Sequence, residues 1–300
     1  MSLPHQPQMR QRPPPGPAGR ASMGLLFLVL LLLVAGCAPA PTASPPSHSA
    51  APRPGSTVRL TSQPAVGTTW QWQLTGLPVD RAAEAEMYDI DLFDNGARTV
   101  AALHAQGRFV VCYLSAGSWE DWRPDADLFP ASVLGNDYEG WPGERWLDIR
   151  QIDLLAPIMR ARLDLCRAKG FDGVEPDNVD GYANDTGFAL TYEDQLAYNR
   201  WLADEAHARG LSIGLKNDAE QVSDLLTCFD WALTEDCFAQ GWCSEVAPFV
   251  EAGKAVFAAE YTDELTVDRF LNGVCPQAEA LGLSAILKDR DLDAWRRVCP

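Results

Sequence analysis

Histidine is scarce in this chain: there are four in 300 residues, and two of them precede residue 50. No His-x-x-x-His or Cys-x-x-Cys spacing occurs, so the ligand supply for a zinc centre is missing. Positive charge is also short. With 24 Lys and Arg against 41 Asp and Glu, the formal net charge is −17. Such a surface repels polyanions, and no nucleic-acid partner is expected. No Gly-x-Gly-x-x-Gly follows an early strand-like run, which argues against a dinucleotide-binding fold. A long apolar run is absent too. Gly24–Gly36 spans too few residues to cross a bilayer comfortably.

That short run has another meaning. Arg10, Arg12 and Arg20 precede it without any acidic residue, the layout of a secretory signal peptide. Leu33-Val34-Ala35-Gly36-Cys37 resembles a bacterial lipobox, in which Cys37 is lipidated and becomes the first mature residue. The expected organisation is therefore a signal peptide over residues 1–36, a flexible Pro/Ser/Ala-rich tether over 37–62, and a folded domain over 63–300. Export to the cell envelope follows, with Cys37 as the membrane anchor and a mature charge of about −20. The protein is expected to act as a monomer. An oxidising compartment permits disulfides. Cys237 with Cys243 can close a short loop and Cys275 with Cys299 can tie the last helix to the C-terminus, although sequence alone does not fix the connectivity. The odd count after Cys37 leaves at least one thiol free.

The remaining residues alternate short β-rich runs with longer amphipathic ones. Strands are predicted at Trp70–Thr75, Met87–Leu92, Phe109–Ser115, Phe171–Glu175, Ser212–Lys216, Trp231–Thr234, Ala255–Tyr261 and Ala285–Lys288. Helices are predicted at Ala97–Gln106, Leu154–Lys169, Glu193–Arg209 and Val267–Leu281, each followed by a Gly suited to a left-handed cap. Strand and helix in repetition imply parallel strands with right-handed crossovers. Eight such strands in about 240 residues point to a single-domain α/β fold, a (β/α)8 TIM barrel. A doubly wound open sheet is the alternative. Residues 117–148 read as a long loop after the third strand, rich in Trp, Pro and Asp.

Active sites of such barrels lie at the C-terminal strand ends, and acidic residues crowd those places here. Asp91 falls there, as do Glu175, Asp177 and Asp180, then Glu235 and finally Glu260. Tyr113, Lys216, Asn217 and Tyr261 accompany them. Any single carboxylate can be a helix cap, so the accumulation is the signal. Many carboxylates with aromatics and no metal-binding histidines suit glycoside hydrolysis, in which two carboxyl groups flank the scissile bond. Trp70, Trp72, Trp119, Trp122, Trp141, Tyr182 and Tyr261 can stack on sugar rings, whereas Trp231, inside a strand, reads as packing. A divalent cation among Asp172, Glu175, Asp177 and Asp180 is the rival. Alternation along a strand should keep that run from converging, so no metal and no cofactor are expected.

The segments Cys112–Ala126, Trp146–Arg150, Gly170–Tyr182, Gly214–Asp218, Ala232–Phe238 and Ala255–Thr262 together resemble glycoside hydrolase family 114, the endo-α-1,4-polygalactosaminidase family. The resemblance implies a (β/α)8 barrel that hydrolyses α-1,4-linked galactosamine polymers of microbial exopolysaccharide with retention of configuration. It places the nucleophile at Asp177 and the general acid/base at Glu235, with Glu175 as competitor for the first role. Glu175, Asn178, Asp180, Tyr113, Trp119, Lys216, Asn217, Glu260, Tyr261 and Asp91 are the expected sugar contacts. A partly cationic polymer would suit an acidic cleft. Two other readings remain open: a carbohydrate-binding surface lipoprotein without catalysis, and a glycosidase for a different glycan.

Overall fold

The computed structural model describes residues 63–300. The expected signal peptide, Cys37 and the tether lie outside the described residues. Eight parallel strands follow one another in order: β1 (Trp70–Gln73), β2 (Met87–Asp91), β3 (Phe109–Ser115), β4 (Gly173–Asp177), β5 (Ser212–Lys216), β6 (Trp231–Glu235), β7 (Val256–Tyr261) and β8 (Ser284–Lys288). This is the predicted barrel. A two-residue strand, Arg297–Val298, runs antiparallel to β8. The C-terminal segment bridges β8 back to β1. Leu74 and Thr75 donate backbone N–H bonds to the Leu292 carbonyl, and Gln71 Nε2 donates to Ala294 O.

The strands bury both faces, as barrel strands must. Residues pointing inward form one apolar cluster of Trp70, Trp72, Val111, Trp231, Leu233, Phe257, Ala259 and Ile286. Those pointing outward, such as Ile90, Cys112, Val174, Ile213 and Ala258, pack under the helices. Gly214 makes room for the inner cluster, since a Cβ there would lie 2.3 Å from the Trp231 ring. The main helices are α1 (Ala97–His104), α2 (Ile152–Lys169) and α3 (Tyr192–Ala208). Gly170 caps α2 in the left-handed conformation at φ 91°, and a Thr191–Asp194 capping box opens α3.

Three differences from the sequence expectation matter. Strand β4 begins at Gly173 and runs through Pro176 to Asp177 rather than ending at Glu175. Residues 117–148 are more than a loop. They hold a three-stranded antiparallel sheet of Ser118–Glu120, Glu144–Leu147 and Leu134–Asp137, with Glu144–Leu147 in the middle. The helix expected at Val267–Leu281 is present, but a π-turn at Phe270–Val274 interrupts it.

Both expected disulfides form, and a third joins Cys112 of β3 to Cys166 of α2, leaving Cys228 free. The Cys112–Cys166 bridge spans 54 residues of chain. A loop of that length corresponds to roughly 4 kcal/mol of unfolded-state entropy. A Cys112→Ala/Cys166→Ala variant should therefore melt about 10 °C lower, as read by calorimetry; an unchanged melting temperature would refute this.

Candidate active site

The C-terminal ends of β3 to β7 converge on one ammonium group. Lys216 Nζ lies 3.0 Å from Glu175 Oε1, 2.9 Å from Asp177 Oδ1 and 3.0 Å from Glu235 Oε2. It also stands 4.7 Å above the Trp72 ring, which floors the site. The Lys216 side chain is only 2% exposed. Burial would drive its ammonium down, but Asp177, Glu175 and Glu235 together carry it well above the ordinary lysine value. The lysine is thus a fixed cation.

Glu175 and Asp177 are two apart on β4, so they share the inner face. The expectation that this run would not converge is corrected in part. Glu175 and Asp177 meet on Lys216, while Asp172 turns away to His104 and the Val110 N–H. The two carboxylates differ in access: the Glu175 side chain is 0% exposed and Asp177 is 18% exposed. Glu235, at 27%, opens to the same side of Lys216.

Tyrosines hold the outer oxygens. Tyr113 donates to Asp177 Oδ2 at 2.9 Å, and Tyr261 donates to Glu235 Oε1 through a short bond. The Asn178 N–H adds a bond to Asp177 Oδ1 at 2.9 Å, and Asn217 Oδ1 accepts from the Glu235 N–H. Burial and the facing carboxylates raise both tyrosine hydroxyls well above their usual values, which keeps them protonated donors. Arg290 lies 4.0 Å over the Tyr261 ring and bonds Asp236 and Asp263, fixing that tyrosine from behind.

The backbone turns sharply after each of these strands. Asn178, Asn217, Asp218 and Asp236 all have positive φ, between 49° and 62°. Asn and Asp are the side chains that tolerate this region best. Strained residues collected immediately after β4, β5 and β6 aim the preceding carboxylates and lysine at a common point. Gly117 is required beside them, because a Cβ there would sit 1.6 Å from the Asn178 carbonyl.

The structure brings Asp177, Glu235, Lys216, Tyr113, Tyr261 and Asn217 together. Asp180 stands nearby: burial first and then the Asp177 charge raise its carboxyl to about 6. Five expected sugar contacts are engaged elsewhere. Glu175 lies beneath the rim with no exposure. Asn178 Nδ2 donates to Ser115 Oγ, Ser118 Oγ and Glu144 Oε1 and so anchors its own turn. Asp91 pairs with Arg123, which also holds Glu120. Glu260, next to Tyr261 on β7, points to the outer face and accepts the Phe238 and Ala239 N–H groups. The Trp119 indole donates to Ala126 O and packs on the core. Rim acids and framework acids look alike in sequence, because both follow strands.

One contributor escaped the sequence reading. Tyr138, stacked on Trp146 at 4.6 Å, lies within the field of Asp177, Asp180, Glu144 and Glu235. Burial and that field together raise its hydroxyl. It directly follows the Leu134–Asp137 strand of the small sheet, within the stretch expected to be a loop. Asp89 lies buried on the inner face of β2. Among the described residues, Cys237, Cys243 and Glu260 are the one grouping close enough to share a metal, and its two sulfurs form a disulfide.

The sequence model of glycoside-hydrolase family GH114 matches residues 49–300. The chain belongs to this family. It is thus a glycoside hydrolase, and the cluster around Lys216 occupies the barrel end where such enzymes act. The structure of Aspergillus fumigatus Ega3 in complex with galactosamine is similar over 82% of this chain and 100% of that one, with a TM-score of 0.77 and 42% identity. The glycoside hydrolase domain of PelA from Pseudomonas aeruginosa shares the fold, with a TM-score of 0.59 at 16% identity over 77% of this chain and 97% of that one. An uncharacterized protein of Deinococcus radiodurans is 28% identical over 304 residues, 89% of this chain and 97% of its own length.

Several buried acids give this GH114 domain a pH-dependent stability. Burial, then the charges of Glu120 and Asp180 respectively, raises Glu144 and Asp218 to about 8 from ordinary values of 4.5 and 3.8. Burial likewise takes Glu260 to about 7. The folded state therefore binds more protons than the unfolded state between pH 4 and 8, and stability falls as pH rises through that window. The melting temperature should be higher at pH 5.5 than at pH 8.5. The reverse order in thermal melts would contradict these assignments.

Proposed function

We propose that the protein is a retaining endo-glycosidase that cleaves α-1,4-linked, galactosamine-containing exopolysaccharide. In this reading Asp177 is the nucleophile and Glu235 the general acid/base. The observation that carries it is the single ammonium of Lys216 bonded to both carboxylates. The two bonds hold one oxygen of each carboxyl group against the same ammonium, a close pairing that suits two successive displacements at one carbon.

The chemistry follows from this placement. Asp177 attacks the anomeric carbon as Glu235 gives its proton to the departing oxygen, and a glycosyl ester forms on Asp177. Negative charge leaves Asp177 and appears on Glu235 in the same step. Lys216 touches both, so it can stabilise the charge at either end without moving. In the second step Glu235 takes a proton from water, the water attacks the ester, and the charge returns to Asp177. Tyr113 and the Asn178 N–H fix the orientation of Asp177, which favours a near-attack geometry. Glu175 is the weaker candidate for nucleophile because no substrate atom reaches a side chain with 0% exposure.

The substrate class rests on the likeness to Ega3, a protein solved with galactosamine, and on the chain's net charge of −17, which complements an amino sugar polymer. Incubation with deacetylated and with fully acetylated polymer, followed by mass spectrometry, tests it. Oligosaccharides from the deacetylated polymer are expected; cleavage of the acetylated polymer alone would defeat the cationic-substrate reading. For the exported form, acylation at Cys37 is part of the proposal. A Cys37→Ala variant should leave the detergent phase for the aqueous one, and unchanged partitioning would remove the anchor.

A further inference from the structure

Below the catalytic rim, several inner-face groups lack the partners that buried polar atoms normally have. Asp89 is 0% exposed, and neither of its carboxyl oxygens has an N–H or O–H partner from another residue. Glu175 Oε2 is in the same position. Its other oxygen takes the Lys216 bond. Asp89 on β2 and Glu175 on β4 both face the barrel interior, where alternate strands share a layer, and Glu175 is the charge that bears most on Asp89. A hydrogen bond between two carboxyl groups requires one proton between them, because two carboxylates have only acceptors.

We propose that Asp89 is a standing carboxylic acid, donating its O–H to Glu175, and that this bond positions the Glu175–Lys216 pair beneath Asp177 and Glu235. The inference rests on the glycosidase reading above and extends it to a residue that touches no sugar.

Charge decides which partner holds the proton. Glu175 faces the Lys216 ammonium at 3.0 Å, which favours its ionised form. The groups acting on Asp89 are Glu175, Lys216 and Asp177, and its cross-strand neighbour on β1 is Trp72. Two of these three charged groups are anions, and the Lys216 cation already serves three carboxylates. A further buried anion with no donor would be costly, so the proton stays on Asp89. The outcome is a chain of contacts from Asp89 through Glu175 to Lys216 and on to both reacting carboxylates. Without the O–H, Glu175 draws the ammonium toward itself and away from the rim. Asp89 is therefore a positioning residue.

Two readouts test this on the whole protein. The first is the infrared difference spectrum of wild type minus Asp89→Asn at neutral pH, without substrate. A positive band from a protonated carboxyl C=O is expected; its absence means Asp89 is ionised and overturns the proposal. The second compares Asp89→Ala with Asp89→Asn on the polymer. Asp89→Ala should lose about tenfold in kcat with KM little changed, and Asp89→Asn should recover most of that loss, since its amide supplies a neutral N–H donor in place of the O–H. An Asn variant as slow as the Ala variant, with both folded by circular dichroism, also overturns it. Should Ala fail to fold, the Asn spectrum still decides. Should wild type itself leave the polymer intact, the glycosidase reading fails while the infrared band still reports on Asp89.

Discussion

Asp177→Asn and Glu235→Gln should each suppress release of new reducing ends by ~10²–10⁴-fold, the range that a single acid/base group supplies. Both changes are isosteric and both side chains reach solvent, so the fold should persist and circular dichroism should be unchanged. The two losses have different origins. An amide at 177 cannot attack the anomeric carbon, so the first bond does not form. An amide at 235 cannot protonate the leaving oxygen, and the penalty grows with the basicity of that oxygen. A substrate with an activated aryl leaving group should therefore recover much of its first-step rate with Glu235→Gln but none with Asp177→Asn. Equal rates for wild type and both variants would remove the pair from the mechanism, and such a pattern at Glu175→Gln instead would make Glu175 the nucleophile.

Lys216→Met produces the largest loss of stability expected of any single change at the rim. The methionine fits the space but leaves Glu175, Asp177 and Glu235 without their shared cation. Removing one partner of a buried ion cluster typically costs about 3–5 kcal/mol. For a domain of this size that is a drop of roughly 6–20 °C in melting temperature. Part of the loss should return on acidification, because protons can replace the missing positive charge on the carboxylates. Differential scanning calorimetry across pH 4.5–8 checks both statements. A variant as stable as wild type at pH 8 would mean that Lys216 does not compensate these acids.

Particular residues show what the sequence carried. All eight barrel strands were legible, because strand and helix differ in apolar period and a Gly closes each main helix. Boundaries failed where chemistry sits. Pro176 reads as a terminator, yet β4 passes through it to Asp177. The inner face of a strand is marked by period two, but alternation does not say which of two faces looks into the barrel. That is why Glu260, on the outer face, counts among the expected sugar contacts. Contacts between distant segments left no trace: Glu144 holds Asn178 across 34 residues, and Asp91 pairs with Arg123 from the loop region. The bond that matters most, Lys216 to Asp177 and Glu235, joins three neighbouring strands. Sequence put those residues at strand ends, and only their common inward face brought them into contact.

The measurement that bears most directly on the central claim is the anomeric configuration of the first product formed. Proton NMR of the protein acting on deacetylated α-1,4-galactosamine polymer, followed from the first turnovers before mutarotation, resolves it. Two displacements at one carbon, first by Asp177 and then by water, predict new reducing ends that appear as the α-anomer and relax toward the β-anomer. Ends that appear first as the β-anomer would mean a single displacement by water, and would contradict Asp177 as nucleophile.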